Sequence, residues 1–194
     1  MALLQADVGF GGGIRTTPFS GDPISCISTF AALIGNPPEL ATDVWSLTWR
    51  FKPRVGANND FATVKHTDVN GLVRRWETIV QIVGGMFQLT TKVWNGVSLA
   101  TLNNQAVSAA DTAAHTFGWR FSAASSQIFF DGVLVGSVPG VAPGLGAQAN
   151  DYLWVQGGPA PPVPGREIDI GEIGLIGVLA SNTQFLDWHT NGVG

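Results

Sequence analysis

Cys26 is the only cysteine among 194 residues, so no disulfide framework can hold this chain together. Its apolar neighbours Ile24 and Ile27 point to a buried, inert thiol. Charge is scarce as well: Asp, Glu, Lys and Arg make up 12% of the residues, against the usual quarter. The ten Lys and Arg form no basic run and the formal net charge is −4, which argues against electrostatic binding of nucleic acid. Arg74-Arg75 is the densest basic spot and reads as a solvated strand end. No run of about eighteen apolar residues exists, so no membrane-spanning helix is expected. The N-terminal Met-Ala-Leu-Leu-Gln-Ala-Asp lacks a basic n-region and a sustained apolar core, so a secretory signal is not expected. Asn-x-Ser/Thr acceptors, phosphate loops, dinucleotide fingerprints and Gly-x-Ser-x-Gly elbows are all missing.

Glycine and proline, by contrast, are plentiful, with 25 and 11 residues. They fall in turn-like clusters along the chain, which suits many short strands better than disorder. Strands are expected at residues 24–34, 44–52, 61–66, 73–83, 86–94, 97–102, 117–122, 127–130, 133–138, 152–156 and 168–178. The second of these alternates strictly. Trp45, Leu47, Trp49 and Phe51 share one face, while Ser46, Thr48, Arg50 and Lys52 share the other, the pattern of a half-buried strand. Helix is nearly absent. Residues 105–115 could hold an Ala-rich turn of helix, and 181–189 read as a short one, with Ser181 as N-cap and Gln184 at the capping-box spacing. Residues 1–20, with Gly11-Gly12-Gly13, read as an N-terminal arm or loop, and 21–194 as one domain. The class is all-β, a sandwich of two antiparallel sheets.

The sharpest local signal is Gln127-Ile-Phe-Phe-Asp-Gly-Val-Leu-Val-Gly136. Asp131-Gly132 between two apolar arms is a hairpin of the type I′ kind, which needs positive φ at both central residues. Trp119 lies on the strand before it. Leu153-Trp-Val-Gln-Gly-Gly158 follows, then a Pro/Gly loop over 159–165, then Ile170-Gly-Glu-Ile-Gly-Leu-Ile-Gly-Val-Leu-Ala180. This order, over about 44–188, resembles the concanavalin A-like, laminin-G-like jelly roll. Glu172-Ile173, Leu179 and the polar segment from Ser181 to Phe185 match the ending of that family. The resemblance implies a fold used mostly for binding sugars and surfaces.

Glu167-Ile-Asp169-Ile-Gly-Glu172 carries the one catalytic alternative. It resembles the catalytic strand of laminarinase-type glycoside hydrolases, which would make Glu167 the nucleophile, Glu172 the acid/base and Asp169 their tuner. In those enzymes, however, the catalytic strand precedes the Asp-Gly hairpin, whereas here it follows. Non-catalytic binding is therefore the expectation.

The superfamily resemblance also raises Ca²⁺, for which Asn58, Asn59, Asp60 and Asp68 are the candidate ligands. Turn-forming Asx residues account for both clusters equally well, and no cofactor is otherwise expected. His66, His115 and His189 show no paired spacing, so each reads as a strand or surface residue and zinc is not expected.

Seven tryptophans are many for this length, and pyranose C–H faces pack on exposed aromatic rings. Trp45, Trp49 and Trp119 belong to a core by their alternation. Trp94 and Asn95 at a turn, and Trp76 beside Arg74, are the candidate carbohydrate-binding residues, with core packing or a subunit contact as the open alternative for each tryptophan. The expected function is a lectin-like virion surface component of a phage, such as a capsid decoration, head-fibre or tail protein, made in the host cytoplasm. Its expected partners are other virion subunits or copies of itself, and a cell-surface glycan. A purely structural shell subunit is the remaining alternative.

Overall fold

In the computed structural model, which describes residues 32–34, 43–68, 74–144, 151–157 and 168–192, alternating apolar side chains build two facing sheets. The strands are β1 (Ala32–Ile34), β2 (Trp45–Pro53), β3 (Phe61–Asp68), β4 (Arg74–Val83), β5 (Met86–Trp94) and β6 (Leu99–Ala109). They continue with β7 (His115–Phe121), β8 (Ser125–Phe130), β9 (Val133–Pro139), β10 (Asp151–Gly157) and β11 (Ile168–Ile176), followed by helix α1 (Asn182–Asn191). One sheet runs β1-β10-β3-β4-β5-β6 and the other β11-β2-β7-β8-β9, with every neighbouring pair antiparallel. Cys26 and residues 1–20 lie outside the described residues.

The core lies between the sheets and is aromatic. Trp45, Leu47, Trp49 and Phe51 of β2 are all buried, as their alternation demands, together with Phe117, Trp119 and Phe121 of β7. From the opposite sheet come Val64, Trp76, Val80, Ile82, Phe87, Leu89 and Val93. Trp45 stacks on Phe121 at 4.2 Å, and Trp119 meets Trp45 and Trp76 edge-on at 5.5 and 5.7 Å. Each such side chain contributes about 1.5–3 kcal/mol by leaving water, and each well-placed ring pair about 0.5–1.5 kcal/mol more. Two buried indole N–H groups find acceptors, Trp119 Nε1 donating to Ser126 Oγ at 2.9 Å and Trp49 Nε1 to Thr78 Oγ1 at 3.2 Å, whereas the buried Trp45 Nε1 has none among the described residues.

The Asp-Gly hairpin forms as its chemistry requires, with φ of 50° at Asp131 and 76° at Gly132. Ser181 caps α1, its Oγ accepting the Gln184 N–H at 3.1 Å. From that start, Phe185 and Trp188 fall on one helix face. Phe185 stacks on Phe129 of β8 at 4.0 Å, and Trp188 meets it edge-on. The close approach depends on Gly118, where a Cβ would lie 2.7 Å from the Phe185 ring.

Three sequence expectations change. The polar face of β2 is not solvated near Ser46 and Thr48, because the chain entering α1 crosses it; Ser46 Oγ donates to Val178 O and accepts from Ala180 N, both at 2.8 Å. Residues 105–109 are strand rather than helix, since Gln105 pairs with Leu89 and Ala109 with Met86; sheet pairing overrides the helical preference of alanine. Arg75 is a buried residue, 8% exposed, and not a solvated strand end.

Candidate functional site

Alternation along β5 sends Phe87, Leu89, Thr91 and Val93 into the core, where all four are buried. Gln88, Thr90, Lys92 and Trp94 therefore share the outer face of the six-stranded sheet, and all four are partly exposed. Register then sets their neighbours. Lys65 of β3, Glu77 of β4 and Lys92 of β5 form one cross-strand row, in which Lys92 Nζ lies 3.7 Å from Glu77 Oε2. In the next row Thr90 Oγ1 donates to Asn104 Oδ1 of β6 at 3.1 Å.

Trp94 ends the strand at a tightly held turn. The Asn95 N–H donates to Ser98 O at 3.1 Å, while Asn95 Oδ1 accepts from the N–H groups of Val97 and Ser98 at 3.0 and 2.9 Å. Trp94 O accepts from Gly144 N at 2.8 Å, which ties the turn to the segment leaving β9. A partly exposed indole thus shares one outer face with a cation, a hydroxyl and an amide farther along β5 and β6. That set can stack a sugar ring and hydrogen-bond its hydroxyls.

Not every predicted site residue joins this face. Trp76 is 2% exposed and belongs to the core, against Trp45 and Trp119, so its ring is not available for stacking. It alternates inward because its strand neighbours Arg75 and Glu77 take the outward positions. Arg74 lies on β4 with its side chain outside the described residues. Asn58 Oδ1 accepts from Gly85 N at 2.8 Å and Asp60 Oδ2 from Ala57 N at 3.0 Å, while Asn59 takes a φ of 72°. These two oxygens cap turns by accepting backbone N–H groups, the turn-forming role open to Asx side chains. Among the described residues, no group of three or more His, Cys, Asp and Glu side chains could hold a metal ion. The Asp68 side chain is not among those described.

Glu172 is 3% exposed beside the β11 bulge, its Oε2 3.6 Å from Arg50 Nε. A glycosidase acid would have to face substrate. Glu167 and the Asp169 side chain fall outside the described residues.

A second polar cluster was not legible in the sequence. It sits at the opposite end of β5 from Trp94, where Met86 pairs with Ala109 and the chain turns into the β6–β7 loop. His115 Nδ1 lies 2.8 Å from Asp131 Oδ2 and Nε2 lies 2.9 Å from Asp111 Oδ1, while the ring stacks on Phe130 at 4.9 Å. His189 Nδ1 reaches Thr116 Oγ1 at 3.1 Å and Asp131 Oδ1 at 3.6 Å, and Arg50 Nη2 donates to His189 O at 2.6 Å. Arg50, Ala114, His115, Thr116 and His189 line a small pocket of about 90 Å³. Two of the three histidines without paired spacing, His115 and His189, do meet around Asp131, while His66 of β3 lies against Trp76. Because Asp131 and Thr116 both contact the same nitrogen of His189, the arrangement is no proton relay to a hydroxyl.

Carboxylates only accept, so two of them on His115 require both ring nitrogens to carry hydrogen. Burial is the largest single influence on this ring and favours its neutral form. The hydrogen bonds to Asp131 and then Asp111, with their charges, outweigh it, and the His115 pKa rises above 6.5. Asp111 is held below its ordinary value, chiefly by the His115 hydrogen bond and next by the Ala113 N–H. A group whose pKa is raised on folding stabilises fully below its unfolded value and loses that contribution as pH climbs through its folded one. The Asp111 contribution is present above its ordinary value of 3.8 and is lost in more acid solution, while the His115 contribution is therefore expected to be complete below about pH 6.5 and to fade above it. Denaturant midpoints measured across that range should fall for the native chain and lose this slope in His115→Gln.

No protein-family model and no curated protein matches the sequence. Solved structures do. A native heptameric SAP-like pentraxin from Limulus polyphemus aligns with a TM-score of 0.58 at 12% identity, over 84% of this chain and 82% of that one. The binding domain of botulinum neurotoxin DC in complex with SialylT aligns with a TM-score of 0.62 at 9% identity, over 100% of this chain and 47% of that one. The fold is a concanavalin A-like jelly roll. A third similar structure, reported for the dependence of botulinum neurotoxin type C cell entry on two ganglioside molecules, has a TM-score of 0.50 at 9% identity. It covers 78% of this jelly roll and 36% of its own chain, so this chain spans less than half of either toxin chain.

Proposed function

We propose that this jelly roll is a non-catalytic, lectin-like binding domain that recognises a cell-surface glycan, displayed on the surface of a phage virion. The observation that carries the glycan reading is the outer face of β5 and β6, where the partly exposed indole of Trp94 lies on the same side as Lys92, Thr90 and Asn104. The toxin binding domain solved with SialylT supports it by sharing the fold. The virion setting draws its support from a chain with 12% charged residues, which has little soluble surface to spare and suits a subunit of an assembly.

A glycan array on the purified chain tests the reading, run beside a reducing-sugar release assay on mixed β-glucans. Binding without turnover is expected. A stacked ring contributes about 0.5–1.5 kcal/mol beyond its buried area, so Trp94→Ala should weaken binding about tenfold while leaving the circular dichroism spectrum unchanged. Binding that survives Trp94→Ala would remove the site, and sugar release would overturn the non-catalytic reading. Silence in both assays would favour a purely structural shell subunit.

A further inference from the structure

We infer that His115 and Asp111 form a proton-operated latch. With hydrogen on both ring nitrogens the latch holds the loop 111–114 closed against the Arg50 pocket, and loss of one hydrogen frees the loop. Two carboxylates face this one ring, Asp131 Oδ2 at 2.8 Å from Nδ1 and Asp111 Oδ1 at 2.9 Å from Nε2. They are held very differently. Asp131 sits in the β8–β9 hairpin, where its Oδ1 accepts the Thr116 N–H and its own N–H donates to Thr116 O, both at 2.9 Å. The Asp111 side chain is 55% exposed, and residues 111–114 are all exposed. The loop is anchored before this stretch by the Ala110 N–H on Gly85 O at 2.8 Å, and after it by β7, which begins at His115. Between those anchors, among the described residues, the hydrogen bond that ties the loop to the body is Asp111 Oδ1 with His115 Nε2. The Ala113 N–H on the same oxygen, at 2.7 Å, stays within the loop.

Hydrogen counting decides which contact gives way. A neutral imidazole carries one N–H, so its bare nitrogen must face a carboxylate, acceptor against acceptor. Asp131 cannot retreat without breaking its bonds to Thr116, whereas Asp111 moves straight into water. The hydrogen therefore stays on Nδ1, and Asp111 is expelled. The ring cannot turn to follow it, being wedged against Phe130, Phe87 and Phe51 at 4.9, 5.0 and 5.7 Å. Nor do the other charged groups nearby take the place of Asp111. Arg50 of β2 is committed to His189 O and to Glu172 of β11, and His189 Nδ1 of α1 to Thr116 Oγ1 and Asp131. The raised His115 pKa places release above 6.5, so the loop is closed in acid and open in alkali. Ala114 is one wall of the pocket, and its departure uncovers Arg50, Thr116 and His189. This loop lies at the far end of β5 from Trp94, so the inference stands or falls separately from the glycan reading.

Alanine-methyl relaxation measured by NMR on the full chain is the test, read at Ala113 and Ala114. The comparison is between about pH 5.5 and about pH 9, on either side of the imidazole range. Order parameters of the two methyl axes, which follow the backbone, should fall from about 0.85 to below about 0.6. Nitrogen-15 shifts of the His115 ring should show hydrogen on both nitrogens at the lower pH and on Nδ1 alone at the higher. Asp111→Asn supplies an amide that accepts from an Nε2–H and donates to a bare Nε2, so its loop should stay ordered at both. Asp111→Ala should be mobile at both. A native loop equally ordered at the two pH values overturns the inference, as does a fall that persists in Asp111→Asn. A ring that keeps both hydrogens at the higher pH, or keeps the one on Nε2, overturns it as well.

Discussion

Gly132→Ala is expected to destabilise the fold by about 2–4 kcal/mol, and Gly85→Ala by only about 1–2 kcal/mol. Both glycines have positive φ, 76° and 75°, so an L side chain at either pays the same backbone strain. Their surroundings differ. A Cβ at Gly85 meets nothing within 4 Å, whereas one at Gly132 would lie 2.6 Å from Leu186 Cα and 3.1 Å from Phe185 O. Those are backbone atoms of α1, which no rotamer change can move aside. The helix must shift, and Phe185 loses its stack on Phe129. Urea midpoints with unchanged m-values would give the two losses and their difference isolates the helix contact. Equal losses at the two sites would show that α1 does not bear on the hairpin.

Trp119→Ala should cost about 3–5 kcal/mol, the usual range for emptying a large aromatic site in a packed core. Domains of this kind are stable by about 5–15 kcal/mol in total, so the variant is expected to unfold near ambient temperature or to lose most of its thermal margin. Three rings, Trp45, Trp76 and Phe121, touch the indole, and they come from both sheets. Collapse around the cavity would have to draw the sheets together. Trp119→Phe keeps part of the packing and removes the N–H donated to Ser126 Oγ, which Asn103 Nδ2 still reaches at 2.8 Å. It should cost about 1–2 kcal/mol. Thermal melts followed by circular dichroism would check both values; a shift in Trp119→Ala no larger than in Trp119→Phe would place the core's strength elsewhere.

The expected glycan contacts rest on a smaller share of the sequence reading. Trp94 and Asn95 fall at the turn where the Trp-Asn-Gly spacing put them, and Asn95 closes it with its own side chain. Lys92, Thr90 and Asn104 join Trp94 because strands β5 and β6 pair in one register, which fixes who stands beside whom across the sheet. Trp76, the second candidate beside Arg74, faces the core instead, since one step along a strand reverses the side.

The sequence by itself determined the strands, their turns and the aromatic core. Alternation in β2, the bounds of β5, the Asp131-Gly132 hairpin and the Ser181 cap are all local matters of period, φ and hydrogen bonding within a few residues. Tertiary structure decided what covers each outer face and which distant groups meet. Ser46 and Thr48 are buried because α1 and its approach lie across them, and Arg50 reaches the C-terminal end of that helix. His115, Asp131 and His189 come from a crossover, a hairpin and a helix that meet only when the two sheets close on their core. Period tells which face of a strand a side chain occupies; it carries no information about what packs on that face, because such contacts depend on how whole sheets and helices dock.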